Sequence, residues 1–461
     1  MSRRRDVTNV KKLGSKALPV EKSGVYHSTK KTTTRKRKKN FVDDNESIAS
    51  SDEEFAEQVD DVDFSEEEAE TAQEKRLRLA KKYLSEIEEE EKDREEFEQG
   101  SVARRLQEEY LEEKGKLRKQ IASNYTGHGE LIDLRCKDHK NSITCLCLSS
   151  NGKLIYSGSK DGTIVKWSVL NKTKLSVLPG KRKSNDGIKS VVCIAISTDG
   201  KFLVAGDSGS KNIKVFNGED LKLIKNLQGH RGVVTCVVFR RDTHTLYSAS
   251  EDRILKVWNL DDMAYVESFF GHQCPITSID ALSRERAITS GGFDKSIRIW
   301  KIVEESQLMF NGHENSVEAV KLINEENFLS CGDDGQLSVW GCLKKKPLCS
   351  VKLAHGKDNS NGQPMWISSI ATLLNTDLVA SGGGSRDGVV RLWQCGESFK
   401  SLTLLFEVNI IGFINAMAFT PDGKNLIVGV GQEHKSGRWW RIPEAKNRLV
   451  IIPLLQNNSK K

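Results

Sequence analysis

The sequence predicts an all-β fold, a β-propeller of seven blades, preceded by a disordered charged tail and a charged amphipathic helical segment. Two observations predict the ring. The first is one spacing met four times: a His, then a Ser, an Asp four residues after the Ser, and a Trp six residues after the Asp. The sets are His139, Ser157, Asp161 and Trp167; His230, Ser248, Asp252 and Trp258; His272, Ser290, Asp294 and Trp300; His313, Ser330, Asp334 and Trp340. The second is the series Trp167, Phe216, Trp258, Trp300, Trp340, Trp393 and Trp439, separated by 49, 42, 42, 40, 53 and 46 residues. Read as third-strand ends, these seven aromatic residues mark seven blades. A period of ~40 residues, with strands and tight turns inside it, is the mark of radially repeated small sheets. One such sheet cannot bury both faces. Stacking around a ring buries them and leaves few exposed edges.

The elements follow in chain order. Residues 1–65 form a tail that is basic, then acidic. Positions 1–39 carry fourteen Lys and Arg, ending in Arg35, Lys36, Arg37, Lys38 and Lys39; positions 43–70 carry fourteen Asp and Glu with no Lys or Arg. Such blocks bury too little apolar surface to offset chain entropy, so disorder is expected. The compact basic cluster reads as a nuclear import signal. Ser50, Ser51 and Ser65 each precede an acidic residue by three positions and are expected acid-directed phosphorylation sites.

Residues 66–125 read as a charged helical arm: proline is absent and Glu, Lys, Arg, Leu and Ala dominate. Leu77, Ala80, Leu84 and Ile87 make one narrow apolar stripe, and Leu106, Tyr110, Leu117 and Ile121 resume it. The arm is expected to dock on a partner or along the propeller, which spans 126–456 and leaves 457–461 as a short tail.

Composition excludes several classes. The chain has 461 residues and a net charge of +7, with 29% of residues charged. It has ten cysteines but no CxxC, so no zinc site or other metal is expected. Reduced, buried thiols in an intracellular protein are the expected state. The basic N-terminus leads into no apolar core, so it is not read as a secretory signal. No apolar run approaches the ~20 residues of a membrane span. Nucleotide-binding and hydrolase fingerprints are missing, and no cofactor or small-molecule substrate is expected.

The recurring pattern is similar to that of WD40 proteins. In them, the resemblance implies, His, Ser, Asp and Trp form a buried hydrogen-bond network within each blade. Ser, His and Asp together could suggest a hydrolase, but four copies at one spacing argue for structural use. The departures mark function. Blade 2 has Phe216 for Trp and Ser210 at the Asp position, and its His loop becomes GKRKSNDG, with Lys181, Arg182 and Lys183. Blade 7 has Glu433 at the Asp position, within GVGQEHKSGRWW. WD40 topology puts the His loops and Asp turns on one rim. That face should gather Lys181, Arg182, Lys183, Gln432, His434, Lys435 and Arg438, a basic and polar set suited to RNA phosphates and bases. Arg240, Arg241 and Lys344 to Lys346 should lie on the opposite face. Trp439 and Trp440 are expected in a strand as core. Either 130–135 or 448–455 could complete the last blade.

Beyond the generic pattern, eight stretches resemble the WD-repeat family specific to the U3 small nucleolar ribonucleoprotein. They are ETAQEKRLRLAKKYL (70–84), SITCL (142–146), EESQL (304–308), LINEENFLS (322–330), WISSIATLLNTDLVA (366–380), RLWQCGESF (391–399), IGFINAMAFTPDG (411–423) and VGQEHKSGRWWRIPEAKN (430–447). The resemblance implies a non-catalytic, RNA-binding scaffold of the nucleus and nucleolus. It would recognise the box B/C region of U3 small nucleolar RNA beside a kink-turn-binding core protein. With other small-subunit processome proteins it would support processing toward 18S rRNA. The rival reading is a WD40 protein–protein adaptor, such as a ubiquitin-ligase substrate receptor or chromatin reader. An acidic or apolar central pocket would favour that reading.

Overall fold

The computed structural model describes residues 72–92, 101–135, 137–180, 187–358, 362–384 and 387–457. The basic cluster Arg35–Lys39, the three serines and the loop Lys181–Lys183 lie outside the described residues. Seven antiparallel sheets follow one another, six of four strands and a seventh closed by both ends of the chain. Strand alternation explains the packing. Second strands such as Phe202–Asp207 and Leu378–Gly383 are buried along their whole length, because neighbouring blades cover both faces. Fourth strands such as Thr173–Leu178 face solvent on their outer edge and carry polar residues there.

Ring closure uses both candidate segments. Arg448–Gln456 is the third strand of blade 7 and pairs with Asn425–Gly431 on one side, Val428 opposite Val450. On its other side it pairs with Tyr125–His128 and Ile132–Leu134 from the front of the propeller. The expectation for Trp439 is therefore corrected. It does not end a third strand but lies in a long excursion, residues 432–447, between Gly431 and Arg448. Arg448–Gln456 supplies the strand, and Leu449, Val450, Ile451 and Ile452 fill its buried positions.

The expected arm is two helices and a strap. α1 spans Ala72–Lys92 and crosses a boundary between structural units at Leu79. α2 spans Ser101–Glu113, and Tyr83 of α1 donates to Glu109 of α2 at 2.6 Å. Leu117 and Ile121 do not continue the stripe, because α2 stops before Gly115. That glycine has φ +68°, where side-chain-bearing residues are strained, and a Cβ there would stand 2.4 Å from Glu325 Cβ. Beyond it the chain runs extended over blades 4 to 6. Arg284 Nη2 donates to Lys114 O, Arg118 Nη2 donates to Cys395 O and Gly396 O, and Asp377 Oδ1 accepts from Ile121 N and Ala122 N. These partners lie in loops between first and second strands, or third and fourth. The strap therefore covers the face opposite the Asp turns, where Arg240, Arg241 and Lys344–Lys346 also lie.

The blade network forms with two changes. In blade 3, Trp258 Nε1–H donates to Ser248 Oγ at 2.8 Å, Ser248 Oγ meets His230 Nε2 at 2.7 Å, and His230 Nδ1 meets Asp252 Oδ2 at 2.9 Å. The same chain runs through Trp340, Ser330, His313 and Asp334. A further set in blade 6 joins Trp393, Ser381, His355 and Asp387. Blade 1 keeps His139, Ser157 and Trp167, but the Asp161 carboxylate instead accepts the N–H groups of Lys140 and Thr163.

In blade 4 the hydroxyl is Thr289, not Ser290: Trp300 Nε1–H donates to it and His272 Nε2 meets it, both at 2.8 Å. Thr289 pairs with Arg298, whereas Ser248 pairs with Lys256, so this hairpin holds one more residue before its Asp. A one-residue slip exchanges faces. Ser290 Oγ consequently meets Thr277 Oγ1. Thr289→Val should cost about 1–3 kcal/mol by stranding an indole N–H and an imidazole nitrogen. Ser290→Ala should cost less than Thr289→Val; urea unfolding of the two variants checks the order.

Candidate nucleic-acid interface

The Asp turns and the loops entering each blade share one face. Its longest loop is residues 432–447, and its backbone is tied down at many points. Gln432 N–H donates to Asn447 Oδ1 at 3.0 Å and Glu433 N–H to Ser142 Oγ at 3.0 Å. Lys435 N–H donates to Asn415 Oδ1, and Asn415 Nδ2 donates to Ile143 O and Glu433 O. Lys160 Nζ reaches in from the Asp turn of blade 1, donating to Gly437 O at 3.0 Å and to His434 O. Lys160 and Asn415 were not singled out from sequence, since a Lys beside an Asp turn and an Asn in an apolar strand carry no local signal.

The candidate RNA residues of this loop separate into two kinds. His434 is buried, 4% exposed, and ringed by Phe413, Trp366 and Trp439. Burial, with Lys435 and Lys160 nearby, pushes its imidazole down to about 3. Gln432 is turned inward as well: its Nε2 donates to Ala445 O at 2.7 Å and its Oε1 accepts from Arg441. Neither side chain is presented to a ligand; both hold the loop's shape. Lys435 is half-buried, its Nζ donating to Ser368 O at 2.8 Å where it lines the axial channel. Arg438 is the open cation, 69% exposed, with Nε 3.1 Å from Glu433 Oε2. Trp439, expected in the core, is 55% exposed. Trp440 is turned inward against Trp366, ring centroids 5.2 Å apart.

The channel below this loop encloses about 740 Å³. First-strand hydroxyls and thiols line it, including Thr144, Thr235, Cys145, Cys193 and Cys236, with Lys160, Lys435 and Arg438 on the side of the 432–447 loop. Glu251 and Glu318 line it too, with apolar residues such as Val233, Ile276 and Met417, so the channel is mixed in charge and polarity. The described cysteines are all free thiols. Burial pushes the Cys145 thiol up to about 12, so it is not a nucleophile at neutral pH.

The blade networks resemble a hydrolase triad in connectivity, but their chemistry is closed. Ser248 is fully buried, and its oxygen already accepts the Trp258 N–H. Burial raises the Asp252 carboxyl, yet bonds from His230 and from the Arg231 and Ile254 N–H groups outweigh it and hold it at about 2. The acid is a fixed acceptor within the blade. Among the described residues no cluster of three or more His, Cys, Asp or Glu is placed to hold a metal. No described helix is long and apolar enough to cross a membrane.

Two imidazoles set an acid limit. Burial depresses His139 from 6.5 to about 4, and His434 from 6.5 to about 3. A folded state that keeps them neutral has its full stability above 6.5 and loses it as pH falls toward those values, because the unfolded chain binds the protons first. His434→Asn should flatten the fall in stability between pH 6 and 4, as measured by denaturant midpoints; an unchanged slope would show that His434 charges without opposition.

Comparison with known proteins gives the same architecture. A family model described as "WD domain, G-beta repeat" matches residues 131–168, 174–217, 221–259, 264–301, 304–341 and 357–394. The human "U3 small nucleolar RNA-interacting protein 2" is 50% identical over 395 residues, covering 84% of this chain and 82% of that protein. Among solved structures, "Crystal structure of RRP9 WD40 repeats" superposes with a TM-score of 0.68 at 47% identity, covering 72% of this chain and 99% of that one. "Structure of U3-55K" gives 0.67 at 47% identity, covering 73% and 100%.

Proposed function

We propose that this chain, which belongs to the family of WD-repeat U3 small nucleolar RNA-interacting proteins, is a non-catalytic RNA-binding scaffold of the U3 small nucleolar ribonucleoprotein. The observation that carries the reading is the 432–447 loop. It is held rigid by Lys160, Asn415 and Asn447, and it presents Arg438 and Trp439 outward beside Lys435. Fixed cations and an open aromatic ring suit a folded RNA, whose phosphates and unpaired bases they meet together. In this reading the RNA is the box B/C region of U3, bound beside a kink-turn-binding core protein, in the small-subunit processome and on the path to 18S rRNA. Lys181, Arg182 and Lys183 would flank the same face across blade 1 and add phosphate contacts. Arg35–Lys39 would carry the chain into the nucleus and so to the nucleolus. The adaptor reading expects an acidic or apolar pocket; against it, Lys160, Lys435 and Arg438 set three cations among the lining residues, although Glu251 and Glu318 line the same channel.

Crosslinking in cells, followed by sequencing of the bound RNA, tests this. U3 is expected to dominate for the full chain and to be lost when residues 1–39 are removed. Changing Lys181, Arg182 and Lys183 to Ala should weaken binding in vitro and flatten its salt dependence, by about 0.7 in slope for each lost contact to single-stranded RNA. A pull-down rich in ligase subunits and free of U3 would favour the adaptor.

A further inference from the structure

A tryptophan is costly to leave in water, and the fold has eight of them. Trp167, Trp258, Trp300, Trp340 and Trp393 are buried in blades, and Trp366 and Trp440 pack on each other. Trp439 is the one among the described residues whose ring stands mostly open, at 55% exposure. Its place is held from behind. His434 lies under one side, ring centroids 5.9 Å apart at 33°. Gly437 lies so close that a Cβ there would come within 1.7 Å of the indole. The carbonyl of that glycine is fixed by Lys160 Nζ, and the backbone before it by Asn415. An exposed aromatic on a mobile loop loses entropy whenever it binds. One braced in advance does not, which is the property of a binding anchor.

The neighbours specify the ligand. Arg438 precedes the ring, and its side chain is 69% exposed and tethered through Nε to Glu433. Glu433, the nearest acid, is shared between Arg438 and Lys160, so its charge is already met. Arg441 follows two residues on and is exposed. A flat open ring next to an exposed guanidinium matches a nucleotide: base on the ring, phosphate on the cation. A base paired inside a helix offers its faces only to its neighbours in the stack, so an unpaired base is the ligand that fits an isolated ring.

We infer that Trp439 is a stacking platform for a single unpaired base of the bound RNA, with Arg438 against the adjoining phosphate. This rests on the RNA-binding reading above and assigns it a residue and a kind of nucleotide. The buried His434 acts as a positioning residue, because its neutral ring supports the indole from below.

The test uses the full chain and a U3 RNA fragment that contains box B/C, with affinity measured across a salt series. Trp439→Ala should weaken binding roughly 5- to 150-fold, the range for one lost base stack, with the salt slope unchanged. Trp439→Phe should recover most of the loss, and all variants should melt with the parent because the ring is exposed. Arg438→Ala should reduce the salt slope by about 0.7. Trp439→Ala binding within twofold of the parent would overturn the platform while leaving the RNA reading intact. A Trp439→Ala loss that came with a lowered melting temperature would also overturn it, in favour of a structural role. If Trp439→Ala kept RNA but lost a co-purifying protein, the ring would belong to a protein contact and the inference would fail. A parent chain that ignored the fragment altogether would instead remove the function from which the inference starts.

Discussion

Trp340→Ala is expected to lower the unfolding free energy by about 3–5 kcal/mol, the cost of emptying a large aromatic site in a packed core. The indole is fully buried, stacked at 5.9 Å and 4° on Phe328 and met edge-on by Phe310 at 6.1 Å. Its N–H donates to Ser330 Oγ, which also serves His313 and through it Asp334. Removing the ring therefore opens a cavity and unseats a chain of polar groups whose Ser330 and His313 are buried. Guanidinium unfolding followed by circular dichroism reads the loss. A change below about 1 kcal/mol would show that blade 5 repacks around the gap. Trp439→Ala should be neutral in the same assay. The two residues belong to the same series of seven in the sequence, yet one anchors a blade and the other faces solvent.

Deleting residues 1–135 is expected to destabilise the ring by more than about 5 kcal/mol, since Leu117, Ala122, Tyr125 and Leu134 leave the core, with up to ~1.5–3 kcal/mol for each large side chain. The deletion also strips the outer partner from Arg448–Gln456 and uncovers a long apolar strand edge. Thermal melting and light scattering should show a lower midpoint and concentration-dependent association. A truncated chain that melted like the parent and stayed monomeric would mean the last blade needs no outer strand.

The blades were legible because their signal is repeated. Ser157, Ser248 and Ser330 each sit where one hairpin length puts a hydroxyl opposite an imidazole, and three of the four predicted hydroxyls meet their His. Ser290 failed because spacing to Asp294 is not what places a side chain. Strand register does, and one extra residue in the turn moved Thr289 into the position. Ser381 was passed over for the same reason, since a longer turn separates it from Asp387. The 432–447 loop was legible in composition and not in shape. GRWW reads as a strand end when every other blade ends on an aromatic. Only the pairing of Arg448–Gln456 with Asn425–Gly431 shows that the strand comes later. The end of α2 was carried by Gly115, but that glycine matters through Glu325, far away in sequence.

The seam in blade 7 has a consequence for how the molecule is made. Its outer strand, Tyr125–His128 with Ile132–Leu134, is made before the other six blades, while the strand that receives it, Arg448–Gln456, is made after them. At ~5–20 residues per second of synthesis, the first must wait tens of seconds, unpaired, for the second. A nascent chain that stops short of Arg448 holds six finished sheets and no closed circle. Synthesis of Arg448–Gln456 is thus the event that locks the wheel, and messages cut short before it yield open chains that chaperones and proteases recognise by their bare edge.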